Sequence, residues 1–338
     1  MTGRPITVYG ASGYTGRLVA KLASRTHNVV LAGRNAESLH EVADELDTPA
    51  QVRVVSLDDP GALRAAVEDT AVVINCAGPF SRTGEPVAMA ALAAGCHYLD
   101  HAADPLYVKH LFDTFEVPAR EANTVMIPGM SFYGAIADLL TSVVTSGLSD
   151  VDAVTVAYAV NGWRMTAASK ATAAQLNGAD RVLYSNGTHR VAPARAELAS
   201  FEFPQPIGTR AVLVDYPASE VVTIPRHVRA RSVQVLMTTD TFTEDAVFTS
   251  ENIDAVARAR STFTIVVRAT SVNGTRIGRL LGHDIYRVGA TASVEAATRL
   301  ATGHTPLRAG VLSAAQAFRP DHFIESLQHQ SLATMILE

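Results

Sequence analysis

Cysteine is nearly absent: Cys76 and Cys96 are the only two in 338 residues. Two thiols cannot build a disulfide framework, so the core must hold the fold and a reducing compartment is expected. Aromatic residues are sparse at 6%, with a single tryptophan, Trp163. No uninterrupted apolar run is long enough to cross a bilayer. The opening stretch Met1–Pro5 lacks the basic-then-apolar pattern of an export signal. A membrane span is therefore not expected, and a cytoplasmic location is. An excess of positive charge is missing too: 28 Lys and Arg face 33 Asp and Glu, a formal net charge of −5. That balance argues against a nucleic-acid or anionic-membrane partner recruited by charge. What remains is 48% hydrophobic and 18% charged, a globular balance in a chain long enough for two domains.

The first part alternates strand and helix patterns with short connections. Strands are predicted at Pro5–Tyr9, Asn28–Ala32, Gln51–Leu57, Ala71–Cys76, His97–Asp100 and Thr124–Ile127. Between them helices are predicted at Gly16–Ser24, Ala36–Leu46, Pro60–Val67, Pro86–Ala94 and within Leu106–Asn123. This order implies an α/β fold, a Rossmann-type doubly wound parallel sheet, over residues 1–129. After Pro128–Gly129 the texture changes. A helix is expected at Gly134–Ser146, with strands at Ala153–Ala159, Ala211–Asp215, Ser232–Thr238 and Thr262–Ala269. Ala230–Thr239 and Ser261–Thr270 are read as pairing partners in an antiparallel or mixed sheet. Residues 130–305 are thus expected to form a second α+β domain. A late helix is expected at Ala290–Leu300, and the tail 306–338 is expected to pack back on the first domain.

The strongest local feature is Gly10-x-x-Gly13-x-x-Gly16, directly after a strand and opening a helix. Gly10 supplies a tight turn, Gly13 lets a pyrophosphate approach the backbone, and Gly16 allows close helix–strand contact. The helix N-terminus turns its N–H groups and dipole toward the phosphates. Ser12, Tyr14 and Thr15 complete the loop, Ser12 and Thr15 adding hydroxyl donors. The second strand runs into Ala32–Gly33–Arg34–Asn35. An acid there would bind the ribose hydroxyls of NAD; Arg34 suits the 2′-phosphate of NADP, with Asn35 beside it. The expected cofactor is NADPH/NADP. Asp58 follows the third strand, where it either accepts from the adenine amino group or shares helix capping with Asp59. Ala77, Gly78 and Pro79 follow the fourth strand, against the ribose and nicotinamide.

These segments, in order, resemble the saccharopine dehydrogenase-like oxidoreductases: Gly10–Gly16, Ala32–Arg34, Cys76–Phe80, Gly84–Val87 and Ala94–Asp100. That group includes saccharopine reductases and trans-acting enoyl reductases. The resemblance covers roughly residues 5–140, with weaker echoes at Gly162–Ser169, Tyr286–Thr298 and Gly310–Ala314. It implies a second domain forming a homodimer and a substrate cleft, and NADPH-dependent reduction of a C=N or C=C bond. The sequence also departs from the family. Ala103–Asp104 stands where many members carry Gly–Glu, and Gly129–Gly134 replaces the usual acidic stretch after the sixth strand.

Hydride transfer needs orientation, a dry site and a proton source. Tyr98, Asp100, His101 and Asp104 follow the fifth strand, at the edge where a donor is needed. His101 titrates near neutral pH and is the first candidate general acid, with Asp104 nearby; the rival donor is Tyr133. Tyr98 is a candidate substrate contact. Trp163 and Arg164, between a strand and a helix, could close over substrate, with Arg164 on a carboxylate and Lys170 one turn further on. Packing offers each of these residues an ordinary alternative. No metal is expected: Cys96, His97, Asp100, His101 and Asp104 have suitable ligand types but lie on a strand and turn, too spread for one ion. The glycine loop also resembles that of N-acetyl-glutamyl-phosphate reductase, which uses a cysteine nucleophile in its second domain. No cysteine follows Cys96. The leading function is reduction of an imine or enamine in a small amino-acid-like or secondary metabolite. The alternatives are enoyl reduction of a polyketide- or lipid-derived substrate, and a non-catalytic NADPH-sensing regulator.

Overall fold

Ile6–Tyr9 (β1) is four residues long and buried throughout. A run covered on both faces belongs in the middle of a parallel sheet. In a computed structural model describing residues 3–243, 246–249, 255–303 and 308–337, β1 lies there. It pairs in parallel with β2 (Val29–Gly33) on one side and with a strand at Val72–Asn75 on the other. Beyond β2 comes β3 (Gln51–Val54); the strand Val72–Asn75 is β4, followed outward by β5 (His97–Asp100), β6 (Val125–Ile127) and Gly310–Val311. All seven strands run parallel. Strand order therefore reverses between β1 and β4, and ligands bind outside the carboxyl ends of strands at such a point.

The connecting helices are α1 (Tyr14–Ala23), α2 (Ala36–Asp44), α3 (Pro60–Ala65), α4 (Phe80–Ala94) and α5 (Pro105–Glu121). Three of these starts carry a side-chain acceptor. Asn35 caps α2 by accepting from the Ser38 N–H (3.0 Å), and Asp59 caps α3 by accepting from the Ala62 N–H (2.9 Å). Asp104 accepts from the Leu106 N–H (2.9 Å) just before α5. α4 ends at Gly95 in the left-handed region. It begins at Phe80, six residues before the expected Pro86, so Pro86 lies inside the helix.

The chain divides into two units. The first comprises Met1–Ala102, Tyr107–Ser131 and Gly289–Leu312, and the second Ala103–Leu106, Phe132–Val288 and Ser313–Glu338. The helix Ile285–Ala301 begins in the second and ends in the first. Strand Gly310–Val311 belongs to the first, whereas the tail from Ser313 belongs to the second. Residues 304–307, where the tail was expected to start, lie outside the described residues.

Among the described residues the second unit holds a mixed sheet of nine strands. Its centre is β7 (Val151–Asn161). Around it lie β8 (Arg181–Ser185), β9 (Thr188–Ala192), β10 (Leu198–Phe203), β11 (Gly208–Leu213), β12 (Ala230–Thr238), β13 (Thr262–Ser271), β14 (Gly274–His283) and a last strand, Ala333–Leu337. The order is β10–β11–β12–β7–β13–β14 and then the last strand, with the β8–β9 hairpin attached through β8 to β12. β12 and β13 do not pair with each other as expected: β7 lies between them, parallel to β12 and antiparallel to β13. Helix α6 (Ala137–Val144) packs against β13 and β14. Ala157, Ala159, Leu236 and Val266 are covered by Phe201, Phe203 and Val212 of the β10–β11 hairpin. Among the described residues no helix is long and apolar enough to cross a membrane.

Candidate functional site

Gly10 leaves β1 with φ +76°, a conformation L side chains resist. A Cβ there would sit 2.8 Å from the Ala77 nitrogen and Cβ, so the turn after β1 and the turn after β4 touch backbone to backbone. Gly16 allows the second close approach: its Cβ would lie 2.2 Å from the Gly10 carbonyl oxygen. Gly13 differs. It is exposed and extended (φ −73°, ψ 164°), and its nearest neighbour would be the Gly10 oxygen at 3.3 Å. Gly13 thus leaves room on the outer side of the loop, and as N-cap it offers no side chain to the first-turn amides of α1. Arg17 braces the loop: its Nε donates to the Ser12 carbonyl (3.3 Å), while its guanidinium pairs with Glu41 (3.1 Å) and Glu45.

Arg34 is exposed at the end of β2 and, among the described residues, makes no ion pair or hydrogen bond. Asp58 is exposed and accepts from the Ser56 hydroxyl (3.1 Å), whereas capping of α3 falls to Asp59 alone. Both Arg34 and Asp58 act electrostatically on the buried Tyr9 phenol at the end of β1. Burial raises the Tyr9 pKa, Arg34 opposes the rise and Asp58 adds to it. The ends of three neighbouring strands thus present a phenol, a guanidinium and a carboxylate together. Asn35 spends its side-chain oxygen on the cap of α2. An unpaired guanidinium beside a glycine cradle with uncapped amides is a donor set that fits a phosphorylated dinucleotide.

Behind the turn Ala77–Pro79 lies a buried polar network. Asn75 Oδ1 accepts from the Ala77 N–H (3.0 Å), and Asn75 Nδ2 donates to the Tyr98 hydroxyl (3.4 Å). Tyr98 and Tyr107 both donate to Asp100 Oδ2 at 2.9 Å. Asp100 Oδ1 accepts from the N–H groups of Ala102 (3.0 Å) and Gly129 (2.7 Å). Burial pushes the Asp100 pKa up, and these donors pull against it. Gly84 makes room for Tyr107, whose hydroxyl oxygen would lie 2.1 Å from a Cβ there. Tyr98 is fully buried with its hydroxyl engaged in this network.

His101 does not titrate near neutrality as expected. Burial pushes it down to about 4, so it is neutral at pH 7. The Ser293 hydroxyl donates to the Ala290 carbonyl (3.0 Å), so it accepts from His101 Nε2–H (3.0 Å). His97 uses Nδ1 to accept from the Val125 N–H (3.1 Å). Burial raises both thiols, Cys96 to about 12, which leaves neither as a thiolate. Among the described residues no group of three or more His, Cys, Asp or Glu could hold a metal ion.

In the second unit Tyr133 sits in a distorted turn (φ −81°, ψ 131°) before Gly134 (φ 101°, ψ −70°). Its ring lies among those of Phe132, Tyr158, Trp163 and Tyr216, at centroid distances of 4.9, 5.2, 6.2 and 6.1 Å. Burial raises the Tyr133 pKa, so the phenol keeps its proton. Sequence reading missed Glu220, which is fully buried beside this cluster. Its Oε1 accepts from the Gly134 N–H (2.8 Å) and from the Tyr158 hydroxyl. Its Oε2 has no hydrogen-bond partner among the described residues, and burial raises its pKa. The available clue was a lone acid ahead of the apolar Val221–Val222. Trp163 is buried too and donates Nε1–H to the Tyr286 hydroxyl (3.1 Å), which donates to the Arg164 carbonyl (2.9 Å). The Trp163–Arg164 loop is thus pinned by Tyr286. Lys170 is half-buried on α7 (Ala167–Leu176). The sequence candidates therefore fall into both units: the cofactor residues, Tyr98 and His101 in the first, Asp104, Tyr133, Trp163, Arg164 and Lys170 in the second.

Residues 6–176 match the family described as Saccharopine dehydrogenase NADP binding domain. Curated relatives include a "Probable mitochondrial saccharopine dehydrogenase-like oxidoreductase" of Arabidopsis thaliana. It is 31% identical over 158 residues, which cover 41% of this chain and 35% of that protein. A "Trans-acting enoyl reductase" of Mycobacterium leprae is 29% identical over 140 residues, covering 40% and 34%. The matched segment spans about a third of the length of these relatives. Among solved structures, apo saccharopine dehydrogenase (L-Glu forming) from Saccharomyces cerevisiae shares the fold, with a TM-score of 0.64. Its identity is 12%, over 99% of this chain and 100% of that one. With the family match spanning half of its length, this chain belongs to the saccharopine dehydrogenase NADP-binding-domain family.

Proposed function

We propose that this protein is an NADPH-dependent reductase of a C=N bond, an imine or enamine, in a small amino-acid-like or secondary metabolite. The observation that carries the cofactor choice is Arg34, exposed at the end of β2 without an ion pair or hydrogen bond among the described residues, in reach of Tyr9 and one strand from the glycine cradle. When bound, the reduced nicotinamide supplies the hydride. The chain's own groups hold and orient it: the loop Gly10–Gly16 at the pyrophosphate, Arg34 at the 2′-phosphate, and the turn Ala77–Pro79 at the nicotinamide side.

The choice of bond rests on proton supply. An imine takes its proton from water before hydride arrives, so its reduction needs no acid from the protein. A C=C bond must gain a proton at carbon. Two of the candidate donors are poorly suited to give one: His101 is neutral at pH 7, and Asp104 is occupied before α5. The similarity to a trans-acting enoyl reductase supports the second reading, C=C reduction, for which Tyr133 retains a proton.

Two measurements test this. Arg34→Ala is expected to weaken NADPH binding by about ten- to hundredfold, since a hydrogen bond to a charged group contributes about 1.5–3 kcal/mol, with NADH binding little changed. Equal losses for both cofactors in a calorimetric titration would remove Arg34 as the selector. NADPH absorbance is then followed with imines formed in situ from 2-oxo acids and amines, and with enoyl thioesters. Turnover of imines alone is expected. Turnover of enoyl thioesters alone would move the assignment to the second reading, and oxidation by neither class would favour a sensing role.

A further inference from the structure

The buried network behind the cofactor turn has a direction. The Ala77 N–H can only donate, so the group 3.0 Å away on Asn75 must be its carbonyl oxygen. The carboxamide nitrogen then points at Tyr98, and the Tyr98 oxygen must accept. Its own hydrogen goes to Asp100 Oδ2, as does that of Tyr107, the two hydroxyls being 3.0 Å apart. The other carboxylate oxygen is committed to two backbone donors, Ala102 and Gly129. Each hydrogen bond in the chain from Asp100 to Ala77 is thereby given a direction, between an acceptor-only carboxylate at one end and a donor-only N–H at the other.

We propose that Asp100 is a positioning residue for the nicotinamide half of the cofactor. Through Tyr98 it fixes which way the Asn75 carboxamide faces, and so it holds the Ala77–Pro79 turn against Gly10. This rests on the placement of that turn at the nicotinamide side given above. The turn has little freedom of its own, because the Gly10 Cα hydrogens already face Ala77. A small rotation of the Ala77 amide would therefore be felt on both sides of the cofactor groove.

Asp100→Asn isolates the directional effect. The new Oδ1 still faces the Ala102 and Gly129 amides, so an NH2 group replaces the oxygen that took two hydroxyl hydrogens. One hydroxyl can donate to the other. The second is stranded unless the Asn75 carboxamide turns over, and turning it over sets an NH2 against the Ala77 N–H. Adding Asn75→Asp repairs this, since an acceptor-only carboxylate receives both Tyr98 and Ala77.

The probes are NADPH and adenosine 2′,5′-bisphosphate, which lacks the nicotinamide half, each titrated calorimetrically into the full chain. Asp100→Asn is expected to bind NADPH about tenfold more weakly, the scale of one unsatisfied buried hydrogen bond, with the bisphosphate affinity unchanged. Asn75→Asp/Asp100→Asn is expected to recover NADPH affinity to within about threefold of wild type, a rescue that generic loss of packing would not give. NADPH binding unchanged in Asp100→Asn, or a double variant no better than the single one, would overturn the assignment. So would parallel losses of both probes, which signal a purely structural role. A wild-type chain that binds neither probe would overturn the cofactor site, and this inference with it.

Discussion

At the residue scale, His101 shows how burial changes chemical meaning. A histidine after the fifth strand reads as a proton donor because its free pKa is near neutrality. Its ring is instead half-buried and donates Nε2–H to Ser293, and burial lowers its pKa to about 4. The unfolded chain takes up a proton at this position below about pH 6.5, and the folded chain does not until about 4. Stability from the neutral ring is therefore present above the free value and lost as pH falls through that window. At roughly 1.4 kcal/mol per unit, the loss is on the order of 3 kcal/mol at most. Burial lowers His27 and His97 in the same direction. Urea unfolding at pH 7, 6, 5 and 4.5 should show stability falling steeply, and His101→Gln should flatten that fall. An unchanged slope in the variant would mean that His101 is protonated in the fold.

At the element scale, two of the loop glycines predict different failures. Gly16→Ala drives a Cβ into the Gly10 carbonyl, backbone against backbone, so α1 must lift from the turn. Gly13→Ala meets nothing closer than 3.3 Å and keeps a negative φ, so its cost falls on whatever approaches the loop from outside. Gly16→Ala is expected to lower the melting temperature by several degrees. Gly13→Ala should leave it within about a degree and weaken NADPH binding by tenfold or more. Tight NADPH binding by Gly13→Ala would place the pyrophosphate elsewhere. Elements in this half were legible because β1, β2, β4 and β6 are buried apolar runs and because α2 and α3 start on side-chain caps, Asn35 and Asp59. Pro86 misled because a proline is read as a helix start. The first turn of α4 instead rests on Pro79 and on the Thr83 hydroxyl, which donates to the Ala77 carbonyl. In the second half the order of strands was illegible, since β12 and β13 carry similar apolar patterns and only β7 decides their neighbours. The hairpins left visible marks: Asn186–Gly187 sits between β8 and β9, and Asn273–Gly274 marks the turn into β14. The Asp100 network was not legible, because its members come from β4, β5, α5 and the turn after β6.

At the scale of the whole molecule, the two units are stitched by the chain itself. It passes from one to the other five times, at 102–103, 106–107, 131–132, 288–289 and 312–313. One of these passages lies inside the continuous helix Ile285–Ala301. Unfolding either unit alone would have to cut that helix in its first turn, and short helical remnants are unstable in water. A single cooperative transition is therefore the expected outcome, although each unit has its own sheet. Trp163, the only tryptophan, belongs to the second unit, whereas the glycine loop and Arg34 belong to the first. A ligand at 100 times its Kd stabilises the folded state by about 2.7 kcal/mol. NADP+ at that level should therefore raise the urea midpoint read from Trp163 fluorescence, and by the same amount as the midpoint read from far-ultraviolet circular dichroism. A fluorescence midpoint that stays fixed while the dichroism transition splits would show that the second unit melts without the first.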